Sequence, residues 1–148
     1  MMSRIIAQTE ADPHYRAAID ASHTPPAAST ADAVGWAARS IAGLLDVAAM
    51  VAYTSSGSSA LRMARERPRA TIIGMTPRRA TARKLALAWG VHPVLCHDVM
   101  GVSEMTEVAV ATAARLRLAR AGETIVVAAG MPFGTPGSTN LLRIAQVR

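Results

Sequence analysis

The chain has 148 residues, enough for one domain with a buried core, and 51% of them are apolar, which excludes a disordered protein. The net charge is +6, but aromatic residues make up only 3%, too few for the base-stacking surfaces of nucleic-acid-binding modules. Cys96 is the only cysteine and no apolar run approaches the roughly 20 residues of a membrane span, so we expect a cytoplasmic protein with neither nucleic acid nor membrane as partner.

The first part of the chain is predicted to be a helix followed by an extended connector. Residues 1–9 place apolar side chains on one helical face. Residues 11–28 contain Asp12-Pro13 and Pro25-Pro26, which disfavour a continuing helix. We therefore expect the main domain over residues 29–148, beginning with a helix at 31–46 that Ser29 or Thr30 caps.

From residue 48 onward, short apolar runs alternate with helical patterns. Strands are predicted at 48–53, 71–75, 91–96, 124–129 and 140–147, and helices at 58–66, 78–89 and 103–120, with Ser103 as the cap of the last helix. Only residues 130–139 join the last two strands, too few for a parallel crossover, so the fifth strand should run antiparallel to the fourth. The sequence thus predicts an α/β fold: a three-layer α/β/α sandwich around a five-stranded, mostly parallel sheet.

A turn rich in hydroxyl groups follows the first predicted strand and opens a helix. It consists of Thr54, Ser55, Ser56, Gly57, Ser58 and Ser59. A helix N-terminus carries unpaired amides and a partial positive charge, so we predict that the amides of residues 56–59 and the hydroxyls of Thr54 and Ser59 bind a phosphate. Gly57 would let the backbone approach an oxygen closely. The alternative is a serine-rich helix cap without a ligand, since Ser and Thr are favoured there in any case.

Two neighbouring features bear on this turn. Ligands of such sheets bind at the carboxyl ends of strands where the winding reverses, so the loop 130–139 would meet the turn if the first and fourth strands are neighbours. A group of arginines also flanks the turn and would serve an anionic small molecule or form a solvated helix face. Its members are Arg62, Arg65, Arg67, Arg69, Arg78, Arg79 and Arg83.

Signatures of catalysis are lacking. The sequence has no phosphate-binding G-x-x-x-x-G-K-[ST] loop, no G-x-G-x-x-G after the first strand and no G-x-S-x-G elbow. His92, Cys96, His97 and Asp98 are spaced so that their side chains would scatter, and we predict no metal site. The sequence therefore indicates a binding unit without catalytic residues.

Several motifs, in the same order, resemble the carboxy-terminal domain of pyruvate kinase. Residues 54–60 resemble its T-x-S-G-x-[ST]-A loop, and residues 67–76 its R-P-x-A-x-I-I-A-x-T segment. Residues 81–94 are similar to its T-A-R…x-G-x-x-P-V stretch. Residues 134–140 resemble its G-T-P-G-x-T-N closing loop, and residues 1–13 resemble the helix and linker that leave that family's barrel.

The resemblance implies a five-stranded α/β/α domain behind a catalytic barrel, which transfers phosphate from phosphoenolpyruvate to ADP in glycolysis with magnesium and potassium. The family's catalytic residues and metal-binding carboxylates belong to that barrel, so the resemblance implies no active site and no cofactor in this chain. Residues 1–28 would then be a helix remnant and linker from the barrel. The domain itself would be regulatory: it would bind a phosphorylated allosteric effector and pack subunits into a tetramer.

The resemblance also implies which loop folds over the effector. This loop consists of Gly134, Thr135, Pro136, Gly137, Ser138 and Thr139. Many relatives have arginine where this chain has Ser58, and residues 98–110 lack the tryptophan and arginine that relatives activated by fructose 1,6-bisphosphate supply. We therefore expect a sugar monophosphate or AMP rather than fructose 1,6-bisphosphate. The alternative is a structural subunit-contact module with a vestigial pocket.

Overall fold

The computed structural model of the chain describes residues 2–135 and 137–148. Two helices come first, α1 (Met2–Ala11) and α2 (Pro13–Ala21). The remaining elements are α3 (Thr30–Leu45), β1 (Ala49–Tyr53), α4 (Ser58–Arg65), β2 (Thr71–Thr76), α5 (Arg79–Leu85), β3 (Val91–Leu95), α6 (Val102–Arg115), β4 (Thr124–Gly130) and β5 (Thr139–Gln146). Within the described ranges, no helix is both long and apolar enough to cross a bilayer.

The five strands form one sheet in the order β3-β2-β1-β4-β5. β1 lies at its centre and pairs in parallel with both β2 and β4, while β2 pairs in parallel with β3. β5 runs antiparallel to β4 at the edge of the sheet. The predicted α/β fold is confirmed, including the direction of the last strand, because the short connection after β4 leaves no room for a crossover helix.

Helices cover both faces of the sheet. On one face, Ala38 of α3 and Met63 of α4 pack against Met50 of β1, and on the other Met105 of α6 packs against Val51 of the same strand. Successive side chains of a strand point to opposite faces, so the wholly apolar β1 can serve both cores. This arrangement makes the three layers and buries the centre of the sheet.

The ends of two helices, α5 and α6, differ from the sequence-based predictions, while the predicted cap of α3 is correct. The cap of α3 is confirmed, since Ser29 Oγ accepts a hydrogen bond from the Asp32 amide at 3.2 Å. Ser103 as the cap of α6 is wrong: the helix begins at Val102 after Gly101. α5 and α6 also end earlier than predicted, at Leu85 and Arg115, and continue as turns.

The extended connector predicted over residues 11–28 is wrong, because it contains α2. Asp12 accepts a hydrogen bond from the His14 amide at 2.8 Å and caps the helix. Pro13 occupies the first helical turn, where a missing N–H costs nothing. The Asp-Pro pair that appeared to end a helix therefore begins one, and only residues 22–29 link α2 to α3 without regular structure.

Candidate functional site

The carboxyl ends of β1 and β4 lie side by side. Tyr53, the last residue of β1, is opposite Ala129 of β4. The two strands are thus neighbours, and the turn 54–59 and the loop 131–138 leave the sheet at the same edge. The site predicted from the sequence required the first and fourth strands to be neighbours, and the structure confirms that they are.

A small cavity lies between the turn and the loop. Its volume is about 20 Å³, which is room for roughly one water molecule. The predicted residues that line it are Thr54, Ser55, Ser56, Ser58, Ser59, Gly134, Thr135, Gly137, Ser138 and Thr139. Gly57 lies behind the cavity wall, and Pro136 falls outside the described residues. The loop therefore rests on the turn and leaves little space between them.

Gly57 shapes the turn from behind. It lies directly before α4 with φ 90°, a conformation that favours glycine. A Cβ at this position would lie 3.3 Å from side-chain carbons of both Thr81 and Leu85 in α5. Thr81 Oγ1 also donates a hydrogen bond to the Ser55 carbonyl at 2.8 Å. The glycine thus allows close packing of the turn on α5, and the approach of its backbone to a ligand stays a prediction.

The predicted amide donors differ in their hydrogen bonds. The Gly57 amide donates to Thr54 Oγ1 at 2.9 Å. The Ser58 amide has only a long contact, 3.4 Å, to Ser56 Oγ. The amides of Ser56 and Ser59 have no hydrogen-bond partner among the residues that the structure describes. Two backbone donors at the start of α4 are therefore available for an acceptor.

The hydroxyls of the turn are linked to the far side of the cavity. Ser59 Oγ and Thr139 Oγ1 are 2.5 Å apart, and both side chains are buried. Thr139 is the first residue of β5, so this pair joins the start of α4 to the end of the loop. Ser56 Oγ donates to Ser58 Oγ at 3.0 Å. The hydroxyls form short networks that a ligand would have to enter or replace.

Two aromatic side chains that the sequence-based site lacked also line the cavity. Tyr53 and Phe133 meet edge to face with their ring centroids 5.4 Å apart. The Tyr53 oxygen accepts a hydrogen bond from the Val99 amide at 3.1 Å. Burial raises the pKa of the Tyr53 phenol, so the ring stays neutral at physiological pH. Phe133 is the only phenylalanine of the chain, and this rarity was the one feature of the sequence that could have pointed to it as a residue of the cavity.

The base of the loop is held by one side chain. Asn140 Oδ1 accepts from the Met131 amide at 2.9 Å, and Asn140 Nδ2 donates to the Met131 carbonyl at 2.8 Å. A Cβ on Gly130 would lie 2.5 Å from Ser138 Oγ, so the two ends of the loop approach closely. The two hydrogen bonds of Asn140 to Met131 explain why the closing-loop motif ends in asparagine.

None of the seven flanking arginines lines the cavity, and three of them have partners elsewhere. Arg62 and Arg65 donate to Asp32 of α3 at 2.5 and 2.7 Å. The Arg67 guanidinium stacks on the Trp89 ring at 4.3 Å. The described residues that line the cavity carry no formal charge. A phosphate there would be bound by neutral donors and by the helix dipole alone.

Comparison with known proteins agrees with this architecture. Residues 32–145 match the family described as the pyruvate kinase alpha/beta domain. A pyruvate kinase of Methylorubrum extorquens is 43% identical over 146 residues, which cover 99% of this chain and 30% of that protein. A pyruvate kinase of Agrobacterium vitis is 40% identical over 99% of this chain and 30% of its own length.

A pyruvate kinase of Geobacillus stearothermophilus is 37% identical over 97% of this chain, which is 24% of that relative. The chain thus spans less than a third of the length of each of these proteins. The order of the strands, the serine-rich turn and the closing loop all lie within the matched residues. The chain belongs to the pyruvate kinase alpha/beta domain family.

Proposed function

We propose that this chain acts in the cytoplasm as the regulatory and subunit-contact domain of a pyruvate kinase, and that a phosphorylated small molecule binds in the cavity. The observation that carries the proposal is the pair of amides, those of Ser56 and Ser59, that lack a described partner at the N-terminus of α4. A phosphate accepts hydrogen bonds from such amides, and the helix dipole favours its charge. The resemblance implies that the family's barrel transfers phosphate from phosphoenolpyruvate to ADP, so we propose no catalysis by this domain itself.

The ligand we propose is a monophosphate, either a sugar phosphate or AMP. Neutral donors line the cavity, so a second phosphate would find no cation there. A missing charge-assisted hydrogen bond costs about 1.5–3 kcal/mol. A difference of about 1.4 kcal/mol is a factor of ten in affinity. Without such a bond, the second phosphate of fructose 1,6-bisphosphate should therefore add little affinity.

Binding would require the loop to move. The cavity has room for about one water molecule, so a phosphate fits only after residues 134–139 lift from the turn. The contact of Phe133 with Tyr53 and the hydrogen bonds of Asn140 lie at the base of the loop and would persist. We expect the loop to open above these contacts and to close again over the ligand.

Calorimetric titration tests the proposal. We expect ribose 5-phosphate, glucose 6-phosphate or AMP to bind more tightly than inorganic phosphate, and fructose 1,6-bisphosphate to bind no more tightly than these. Ser58→Arg adds a cation at the cavity and should tighten binding about tenfold or more, most of all for the bisphosphate. Ser103→Arg, which adds the same charge at the exposed start of α6, is the control and should leave affinity unchanged.

The alternative is a subunit-contact module whose pocket binds nothing. It is favoured by the Gly57 amide and the Ser59 hydroxyl, which already have partners within the chain. In that case no ligand gives heat at millimolar concentration, while sedimentation still shows association that increases with protein concentration. In either case, incubation with phosphoenolpyruvate, ADP, magnesium and potassium should yield no pyruvate, and turnover would overturn the assignment of a domain without an active site.

A further inference from the structure

Residues 2–21, the helices α1 and α2, form an arm that lies against the sheet domain without entering its core. α2 has no buried residue. Ile5 and Ile6 of α1 are more than half exposed. The apolar side chains that make up the two cores all lie outside this segment. Burial of apolar surface, which stabilises the rest of the fold, therefore contributes little to the attachment of the arm.

Polar contacts hold the arm in place. Arg16 Nη1 donates to the Arg67 carbonyl at 2.7 Å. Trp89 Nε1 donates to Glu10 Oε1, also at 2.7 Å. Asp20 accepts from Arg39 Nη2 of α3 at 2.5 Å. These bonds join three different parts of the domain to the arm.

A further contact follows directly after the arm. His23 Nε2 lies 2.6 Å from Glu66 Oε2, and Glu66 is only 2% exposed. The other oxygen of this buried carboxylate has a weaker partner, Arg65 Nη2 at 3.3 Å, which also donates to Asp32. A buried carboxylate needs hydrogen-bond donors, so His23 anchors the end of the arm on the carboxyl end of α4.

The backbone of the domain is shaped to receive the arm. Arg67, just after α4, has φ 49°, in the left-handed region that few non-glycine residues adopt. This turn leaves its carbonyl free for Arg16, while its guanidinium stacks on Trp89, whose N–H binds Glu10. One strained residue therefore organises two of the contacts to the arm.

We propose that the arm is a detachable element, held by a polar latch, that leaves the domain as a unit while the sheet stays folded. The latch is the set of contacts of Glu10, Arg16, Asp20 and His23. The ion pair of Asp20 with Arg39 is partly exposed and is screened by salt, the buried His23–Glu66 pair is screened less, and helices of about ten residues are marginal alone in water. Release of the arm therefore needs less free energy than unfolding of the sheet. The fraction of molecules with a released arm should increase with ionic strength.

Hydrogen–deuterium exchange of the whole chain tests this proposal. We expect the amides of residues 14–21 to exchange with one shared protection factor that falls as salt rises to about 1 M, where the Debye length is about 3 Å. The amides of β1 and β4 should keep their protection. Protection that decreases gradually from residue 21 toward residue 2 would indicate that the helices open residue by residue and would overturn the proposal, as would protection equal to that of the sheet.

Two variants and a matched control sharpen the test. His23→Ala and Asp20→Asn should each raise exchange in residues 14–21 about two- to tenfold at low salt, and Asp20→Asn should also reduce the effect of added salt. His97→Ala removes a histidine–glutamate pair of similar chemistry, at 3.0 Å from Glu104, on the exposed surface. It should leave the arm unchanged. Equal effects of all three variants, or none, would contradict a latch at these residues.

Discussion

Ser59 Oγ and Thr139 Oγ1 lie 2.5 Å apart although 80 positions separate the two residues in the sequence. The contact joins the first turn of α4 to the first residue of β5, across the cavity that both line. Each hydroxyl is buried, so each depends on the other for a hydrogen bond. The position of the closing loop over the turn therefore rests partly on this pair.

Thr139→Val should lower the free energy of unfolding by about 1–3 kcal/mol, because it leaves the Ser59 hydroxyl buried without that partner. Urea denaturation measures the loss. The double variant Ser59→Ala/Thr139→Val should lose less than the sum of the two single variants, since it leaves no orphaned hydroxyl. Strict additivity would mean that the two side chains do not stabilise each other.

Gly74→Ala should destabilise the protein by about 1–3 kcal/mol because the site is already filled. A Cβ on Gly74, in the buried centre of β2, would lie 2.9 Å from Leu85 Cδ1 and 3.0 Å from Val91 Cγ1. Gly43→Ala is the matched control: it lies in α3 with nothing within 4 Å of its Cβ position. That variant should gain about 0.5–1 kcal/mol from helix propensity, and thermal unfolding should give shifts of opposite sign.

Ionisation of Asp32 should make the free energy of unfolding depend on pH in the acid range. The Ser29 hydroxyl, together with Arg62 and Arg65, holds the pKa of the buried Asp32 carboxyl well below its usual range. A carboxyl whose pKa is lowered on folding stabilises the folded state above its unfolded pKa, about 3.9, and this contribution is lost as pH falls through the folded value. The free energy of unfolding should therefore decrease on acidification below about pH 5.

Asp32→Asn tests the assignment. The variant should be less stable than the parent at neutral pH and should lose less stability in acid, so the two curves converge as pH falls. Asp46→Asn, at the exposed end of α3, serves as the control and should follow the parent curve. Parallel curves for Asp32→Asn and the parent would show that another group dominates acid unfolding.

The features predicted well from the sequence are those that depend on neighbours along the chain. The apolar run of β1, the hydroxyls of residues 54–59 and the short link before β5 are all local. They were sufficient to predict the three layers, the direction of the last strand and the proximity of the turn to the loop. α2 was missed because Pro13 fits either the end of a connector or the start of a helix, and the Asp12 side chain decides between them.

The features that could not be predicted depend on pairs distant in the sequence. Tyr53 and Phe133 come together only because β1 and β4 are neighbours. Arg62 and Arg65 were predicted either to serve an anionic small molecule or to form a solvated helix face, and the packing of α3 on α4 brings them to Asp32 instead. Helical periodicity identifies the face of a helix that is buried, but not the partner that the opposite face will find.

α4 is eight residues long, about 12 Å from end to end. Its first turn borders the cavity, and the residues directly after its last turn, Glu66 and Arg67, hold the arm. If the proposed ligand displaces Ser58, we expect so short a helix to shift as one unit and to move Glu66 as well. Any factor by which ligand binding then changed the release of the arm would equal the factor by which release of the arm changes the affinity for the ligand.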